Sequence, residues 1–181
     1  QDLCLWAGTV VHSEEKEGRI FMEIRKGTLK DLEAIAAVEA ACFPAAEAAT
    51  AEEFAGRLQQ YGDHFWLLWE GERLLAFVDG FCTDWPDLTD EMYADASLHR
   101  ENGAWQMIFG VNTLPRCRRR GYAETLLRRV IADARAQGRK GLVLTCKDRL
   151  VHYYAKLGFV NEGVSGSTHG GVVWHQMRLT F

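Results

Sequence analysis

One segment narrows the fold more than any other: an apolar strand that passes through a basic turn into the best-patterned helix of the chain. Residues 104–111 (AWQMIFGV) are almost wholly apolar, the signature of a strand covered on both faces. Beyond them, Ala123, Leu126, Leu127, Val130, Ile131 and Ala134 fall at i, i+3, i+4, i+7, i+8 and i+11, while Glu124, Arg128, Arg129 and Asp133 line the other side. That period buries one stripe of a helix, and Gly138 and Gly141 end it. Between strand and helix lie Arg116, Arg118, Arg119 and Arg120. A helix start disfavours cations, because the macrodipole is positive there. A bound polyanion resolves the conflict: Gly121 lets the backbone turn closely around a phosphate, and the free N–H groups of the first turn can donate to it. The competing reading is a solvated basic loop, which is what most charge runs are.

Elsewhere the pattern predicts a sheet with helices packed on it. Residues 23–26 read as a first strand. Leu32, Ile35, Val38 and Cys42 recur at helical spacing behind Asp31, whose charge suits a helix start, and Pro44 closes that helix. Thr50 followed by Glu53 spells a capping box for a second helix that runs to about Tyr61. Residues 64–70, a turn at Gly71 and Glu72, and residues 73–84 read as a hairpin. Residues 83–103 are polar, acidic and rich in turn formers, and so long a loop in a compact domain is usually functional or mobile. Residues 142–146 form a short buried strand, 148–157 a short helix stopped by Gly158, and 172–179 a closing strand. With 181 residues, 48% of them hydrophobic, the chain has room for one core and would cramp two. The expectation is a mixed α/β domain over residues 22–181. Residues 1–21, upstream of Met22 and the first strand, are expected to stand outside it as an N-terminal extension.

Charge and cysteine usage exclude several function classes. Lys and Arg number 21 against 25 Asp and Glu, a net charge of −4, so there is no global pull toward nucleic acid or an anionic membrane. No apolar run approaches the roughly 18 residues of a membrane span. The apolar stretch 3–11 has no basic segment before it and is not read as a signal peptide. Cys4, Cys42, Cys82, Cys117 and Cys146 are odd in number and scattered, so a reducing cytoplasm is the expected setting. No Cys/His spacing suits zinc, and no metal is expected. The nucleotide fingerprints GxGxxG and GxxxxGK followed by Ser or Thr are absent.

At the joint a resemblance becomes visible. Arg118-Arg119-Arg120-Gly121-Tyr122-Ala123 is similar to the Gln/Arg-x-x-Gly-x-Gly/Ala pyrophosphate loop of the GNAT superfamily of acetyl-CoA-dependent N-acetyltransferases. Tyr154-Ala155-Lys156-Leu157-Gly158-Phe159 is similar to that superfamily's Y-x-K-x-G-F segment. The strand before the first motif, the strand and helix between the two, and the closing strand extend the likeness over residues 22–181. Residues 88–103, residues 146–159 and the surroundings of Phe43 look like the serotonin (arylalkylamine) N-acetyltransferase branch in a bacterial form.

The resemblance implies a mixed, mostly antiparallel sheet flanked by helices and splayed after its fourth strand to admit acetyl-CoA as co-substrate. It implies that the backbone of Phe109, Gly110 and Val111 pairs like a strand with the pantetheine arm. Arg118, Arg119, Arg120, Gly121, Tyr122, Ala123 and Glu124 would bind the pyrophosphate, with the amides of residues 119–124 donating. Tyr154 would sit beside the thioester sulfur as general acid, and Phe43, Thr145 and Trp174 match positions that wall the amine pocket. Two departures stand out. The branch's two proton-relay histidines fall at Trp105 and Met107, neither of which accepts a proton, and Lys147 stands where many members carry Asn.

Chemically, a tyrosine with an ordinary pKa of about 10 is a competent donor to a departing thiolate, whose thiol has a pKa of about 8.5. Tyr154 otherwise reads as a core aromatic, and its neighbour Tyr153 is set aside by the family spacing. For the base, Asp90, Glu91, Asp95 and His99 of the long loop are candidates; the carboxylates read more readily as solvated charges or turn formers, and His99 equally as a structural hydrogen-bonding residue. The expected function is direct transfer of acetyl to a primary amine. The Trp- and Phe-rich acceptor region points to a small aromatic or apolar one. Two alternatives are a non-catalytic acyl-CoA-binding sensor, which the missing histidines suggest and Tyr154 opposes, and a protein N-terminal or lysine acetyltransferase.

Overall fold

The computed structural model describes residues 10–13 and 20–181. In chain order the first half holds β1 (Val10–Ser13), β2 (Ile20–Lys26), α1 (Leu32–Cys42), α2 (Ala51–Tyr61), β3 (Phe65–Glu70), β4 (Arg73–Asp79) and β5 (Cys82–Thr83). The second half holds α3 (Asp90–Ala94), β6 (Trp105–Ile108), β7 (Gly110–Thr113), α4 (Tyr122–Ala136), β8 (Gly141–Cys146), α5 (Val151–Ala155), β9 (Val160–Val164) and β10 (His175–Thr180). The strands make two sheets, ordered β1-β2-β3-β4-β7 and β5-β6-β8-β10-β9. All pairings are antiparallel except that of β6 with β8. This is the mixed, helix-flanked architecture the sequence led us to expect. No helix among the described residues is long and apolar enough to cross a membrane.

Local chemistry sets the helices. Thr50 Oγ1 accepts the Glu53 N–H at 3.2 Å while the Glu53 carboxylate accepts the Thr50 N–H at 2.8 Å, so the capping box forms as spelled. Because successive side chains of a strand point to opposite faces, β3 sends Trp66 and Leu68 into one core and Phe65, Leu67 and Trp69 into the other. The first core is closed by Leu126, Leu127, Val130 and Ala134 of α4 together with Tyr154 of α5. The second is closed by Ile35 and Val38 of α1 and Phe54, Leu58 and Tyr61 of α2. Each such side chain contributes about 1.5–3 kcal/mol on burial, and helices on both faces explain why the central strands are apolar throughout.

Several boundaries differ from the sequence reading. The hairpin ends at Asp79, because Gly80 lies against the Met107 carbonyl so closely that a Cβ would come within 1.8 Å of its oxygen. The chain then passes to the other sheet as β5. The long loop contains α3, the closing strand begins at His175 rather than 172, and the mostly exposed β9 carried no burial pattern to announce it. Val10–Ser13 pair with β2 from Val10↔Glu23 to Ser13↔Ile20. The rest of the 1–19 segment lies outside the described residues.

The run at 104–111 is not one strand. Residues of β6 pair in parallel with β8, from Trp105↔Gly141 to Ile108↔Leu144. Phe109 then donates its N–H to the Asp79 carbonyl at 2.8 Å, and β7 continues on β4 from Asp79↔Gly110 to Ala76↔Thr113. The chain thus enters in one sheet as β6 and leaves in the other as β7. Past this point β7 and β8 diverge, and Thr145 and Cys146 have no strand on their β7 side.

Candidate active site

The divergence opens a cleft of about 860 Å³ between α1 and α2 on one side and α4 and α5 on the other. It is lined by Phe109, Gly110, Val111, Arg118, Arg119, Gly121, Tyr122, Ala123, Glu124 and Tyr154, and also by Phe43, Thr145 and Trp174. Of the residues expected to bind the cofactor or wall the amine pocket, Arg120 does not line it. It is exposed, as is Arg116.

At one end the cleft meets the start of α4. Gly121 is left-handed (φ +81°), and nothing lies within 4 Å of where its Cβ would be. Arg119 is also left-handed (φ 63°), a conformation that costs a non-glycine residue about 1–2 kcal/mol. The first helical bond runs from the Thr125 N–H to the Gly121 carbonyl (3.0 Å), so the amides before it stand outside the helical ladder. The Glu124 carboxylate is drawn along the helix to Arg128 (2.7 Å). Unladdered amides, exposed arginines and a bare glycine backbone fit a pyrophosphate.

Midway, α5 brings in Tyr154, which is 6% exposed. Its ring packs edge-on against Tyr153 (5.1 Å) and Phe159 (6.0 Å). Its hydroxyl makes no hydrogen bond with the described residues. Burial first, then the neighbouring Cys146 and Tyr153, push its pKa above the ordinary tyrosine value, so the phenol holds its proton.

The far end is an aromatic chamber. Tyr93 lies 4.9 Å from Phe109 and stacks on His169 at 5.3 Å, and the Trp174 indole N–H donates to the His169 carbonyl at 2.8 Å. His169 Nε2 donates to the Glu47 carbonyl (2.8 Å), which leaves Nδ1 with a lone pair. Tyr93 and Thr145 share a hydroxyl hydrogen bond of 3.2 Å. Lys147, in the place of the family's Asn, pairs with Glu47 at 2.9 Å and lies 5.9 Å over Trp174.

Sequence reasoning missed the polar floor of this chamber. Arg57 donates to Asp79 Oδ2 and to the Tyr93 carbonyl, both at 2.9 Å, and its guanidinium lies 5.2 Å over Phe109. Beside this pair is Glu39, 6% exposed, whose Oε1 accepts the Ala49 N–H at 3.3 Å. Among the described residues, its Oε2 and Asp79 Oδ1 are buried with no hydrogen-bond partner. Burial, reinforced by the Asp79 charge, pushes the Glu39 carboxyl up to about 8 against the opposing pull of Ala49, Arg57 and Asn112. A signal was present in the sequence: Glu39 follows Ile35 by four residues and precedes Cys42 by three, a charged residue on the helix stripe that should be apolar.

The four loop candidates for a base do not line the cleft. Asp90 accepts from the Ser167 hydroxyl and the Thr168 N–H, Asp95 caps Ser97, and Glu91 is exposed. His99 sits toward the opposite end of β6, where it, His64 and Glu101 bring ligand-type atoms within 4.8 Å of one another. Spacing alone did not disclose that cluster. His99 Nδ1 accepts the Cys82 N–H (3.1 Å), so its proton is on Nε2 and is donated to Glu101 Oε2 (2.9 Å). The relay-histidine positions are likewise closed to the cleft. Trp105 is covered by Arg178 at 4.6 Å and Met107 is fully buried.

The model of the acetyltransferase (GNAT) family matches residues 32–159. No curated protein matches the chain in sequence. Among solved structures, the loading GNATL domain of CurA from Lyngbya majuscula is similar at 16% identity, with a TM-score of 0.77 over 88% of this chain and 97% of that one. The GphF GNAT-like decarboxylase, solved with isobutyryl-CoA, is similar at 21% identity, with a TM-score of 0.75 over 87% and 98%. The ribosomal-protein-S18-alanine N-acetyltransferase from Escherichia coli is similar at 18% identity, with a TM-score of 0.65 over 88% and 93%. At these identities the likeness is one of fold.

Proposed function

The chain belongs to the GNAT acetyltransferase family, and on that premise we propose that it transfers an acetyl group from acetyl-CoA directly to a primary amine. One observation carries the reading. A single cleft runs from the unladdered amides of α4, along the unpaired edge of β7, past Tyr154 and into the aromatic chamber. In this reading Arg118 to Glu124 hold the pyrophosphate, the backbone of Phe109, Gly110 and Val111 holds the pantetheine arm, and Tyr154 gives its proton to the departing sulfur.

The acceptor we propose is a small aromatic or apolar amine of the arylalkylamine kind. Phe43, Tyr93, Phe109 and Trp174 line the chamber and support it. One structural neighbour is named as a decarboxylase. Here the buried oxygens of Glu39 and Asp79, unpartnered among the described residues, offer acceptors to an ammonium group, which favours amine transfer. The described cysteines are free thiols, which supports a cytoplasmic setting.

The test follows CoA release from acetyl-CoA with arylalkylamines, polyamines and peptides as acceptors. Turnover with arylalkylamines is expected. Preference for peptides would make the chain a protein acetyltransferase, and acetyl-CoA binding with no turnover on any acceptor would make it a sensor.

A further inference from the structure

An amine that attacks a thioester must lose protons, and the loop candidates for the base all lie away from the cleft. Glu39 is placed differently. The wall that holds it is built by α1, by Arg57 of α2, by Asp79 of β4 and by Asn112 of β7. A Cβ on Gly110 would come within 3.0 Å of both Asp79 Oδ1 and Asn112 Nδ2, so this polar floor adjoins the β7 edge at Gly110. Glu39 lines the cleft, and among the described residues its Oε2 and Asp79 Oδ1 are buried without a hydrogen-bond partner, beside the Asn112 amide that draws the Glu39 carboxyl down. A buried acceptor left unsatisfied costs about 1–3 kcal/mol, more when it is charged. Two of them in the polar floor of an aromatic chamber call for a hydrogen-bond donor, which an ammonium group supplies.

We propose that Glu39 is the catalytic base, its Oε2 receiving the acceptor's ammonium group and taking a proton from it. The proposal rests on the acetyl-transfer reading above. One N–H bond of the ammonium breaks and its proton passes to Oε2. The freed lone pair forms the C–N bond at the thioester carbonyl carbon. The C–S bond then breaks with its electron pair going to sulfur, which takes the Tyr154 proton. The second nitrogen proton is lost from the tetrahedral adduct and replenishes the tyrosine through solvent, so the net products are amide, thiol and the proton on Glu39.

The groups facing Glu39 are Asp79, which raises its carboxyl, Arg57, which lowers it, and Cys42 on its own helix. With the carboxyl held up to about 8, kcat/KM for the free enzyme should climb with pH to a plateau above that value.

The experiment compares the full chain with its Glu39→Gln and Glu39→Asp variants, using acetyl-CoA and the best acceptor of the amine panel across pH 6–10. Glutamine keeps the shape and can still accept the Ala49 N–H. We therefore expect the acetyl-CoA thermal shift to persist, kcat/KM to fall about 10²–10⁴-fold, and the limb near pH 8 to vanish. Aspartate should restore part of the rate with a displaced limb, which separates lost chemistry from lost folding. His169→Gln, the other proton acceptor at the chamber, should leave the limb in place whatever it does to KM. The proposal is overturned if Glu39→Gln keeps the wild-type rate and limb, or if the limb moves with His169→Gln instead. Failure of the acetyl-transfer reading shows itself separately, in wild-type protein that acetylates no amine.

Discussion

Removing one oxygen atom, in Tyr154→Phe, tests the acid assignment. The tyrosine ring lies between Tyr153 and Phe159 and keeps both contacts as phenylalanine. Its hydroxyl has no hydrogen bond to lose among the described residues, so stability should change by less than about 0.5 kcal/mol. With an unfolding entropy of about 2.1 cal/mol/K per residue, the 181 residues sum to about 0.38 kcal/mol/K, and the melting point should move by little more than about 1 °C. Catalysis should respond on another scale. A positioned acid contributes about 10²–10⁴-fold, which is about 2.7–5.4 kcal/mol of barrier. Because burial, Cys146 and Tyr153 all raise the phenol's pKa, the deficit should stay constant across the neutral range. The assay is single-turnover CoA release, which isolates the chemical step, with acetyl-CoA affinity measured in parallel and expected to be unchanged. Tyr153→Phe is the control. Wild-type turnover by Tyr154→Phe, or greater damage from Tyr153→Phe, would refute the assignment.

Three further outcomes are expected. Asp79→Ala strands the buried Arg57 guanidinium and should cost about 3–5 kcal/mol, roughly 8–13 °C of melting temperature by calorimetry, with Arg57→Leu/Asp79→Leu recovering most of it. Saturating wild-type protein with acetyl-CoA at 100 times its dissociation constant should add about 2.7 kcal/mol. Gly121→Asp, which puts a carboxylate on a left-handed residue beside the unladdered amides, should abolish that shift in a thermal titration. Burial lowers the His99 pKa below its ordinary 6.5, so the stability held by the neutral ring is complete above that pH and declines as pH falls through the lowered value. Melting curves between pH 7 and 5 should therefore slope downward toward acid, and His99→Gln should flatten part of the slope.

Those features of the molecule that depend on local pattern were readable from the chain. α1, α2 and α4 begin and end within a residue or two of where caps, prolines and glycines put them, because those signals act within one turn. The exchange of sheets at Phe109 was not readable, since AWQMIFGV is apolar on both sides of it and periodicity is blind to which neighbour a strand pairs with. The cofactor-side residues came from a contiguous motif. The acceptor chamber could not, because it joins His169 to Glu47 across 122 positions and stacks His169 on Tyr93. Glu39 was hidden for a different reason. A lone carboxylate in an alanine-rich helix looks like a solvated face until its spacing is set against Ile35 and Cys42.

The parting of β7 from β8 also has a mechanical side. Two strand edges face each other inside the folded protein, and along Gly110–Thr113 and at Thr145 and Cys146 neither is hydrogen-bonded to the other. Exposed edges of this kind invite pairing with another chain, and proteins ordinarily blunt or cover them. Here they are recessed beneath α1 and α4, where what can reach them is something slender and strand-like. A molecule that fits the gap would act as an added rung between two five-stranded sheets. The halves on either side, joined through Phe109, would then stiffen against each other. Hydrogen exchange would register this as slowing at Val111 and Thr113 on acetyl-CoA binding, while amides in the middle of β3 stayed as slow as before.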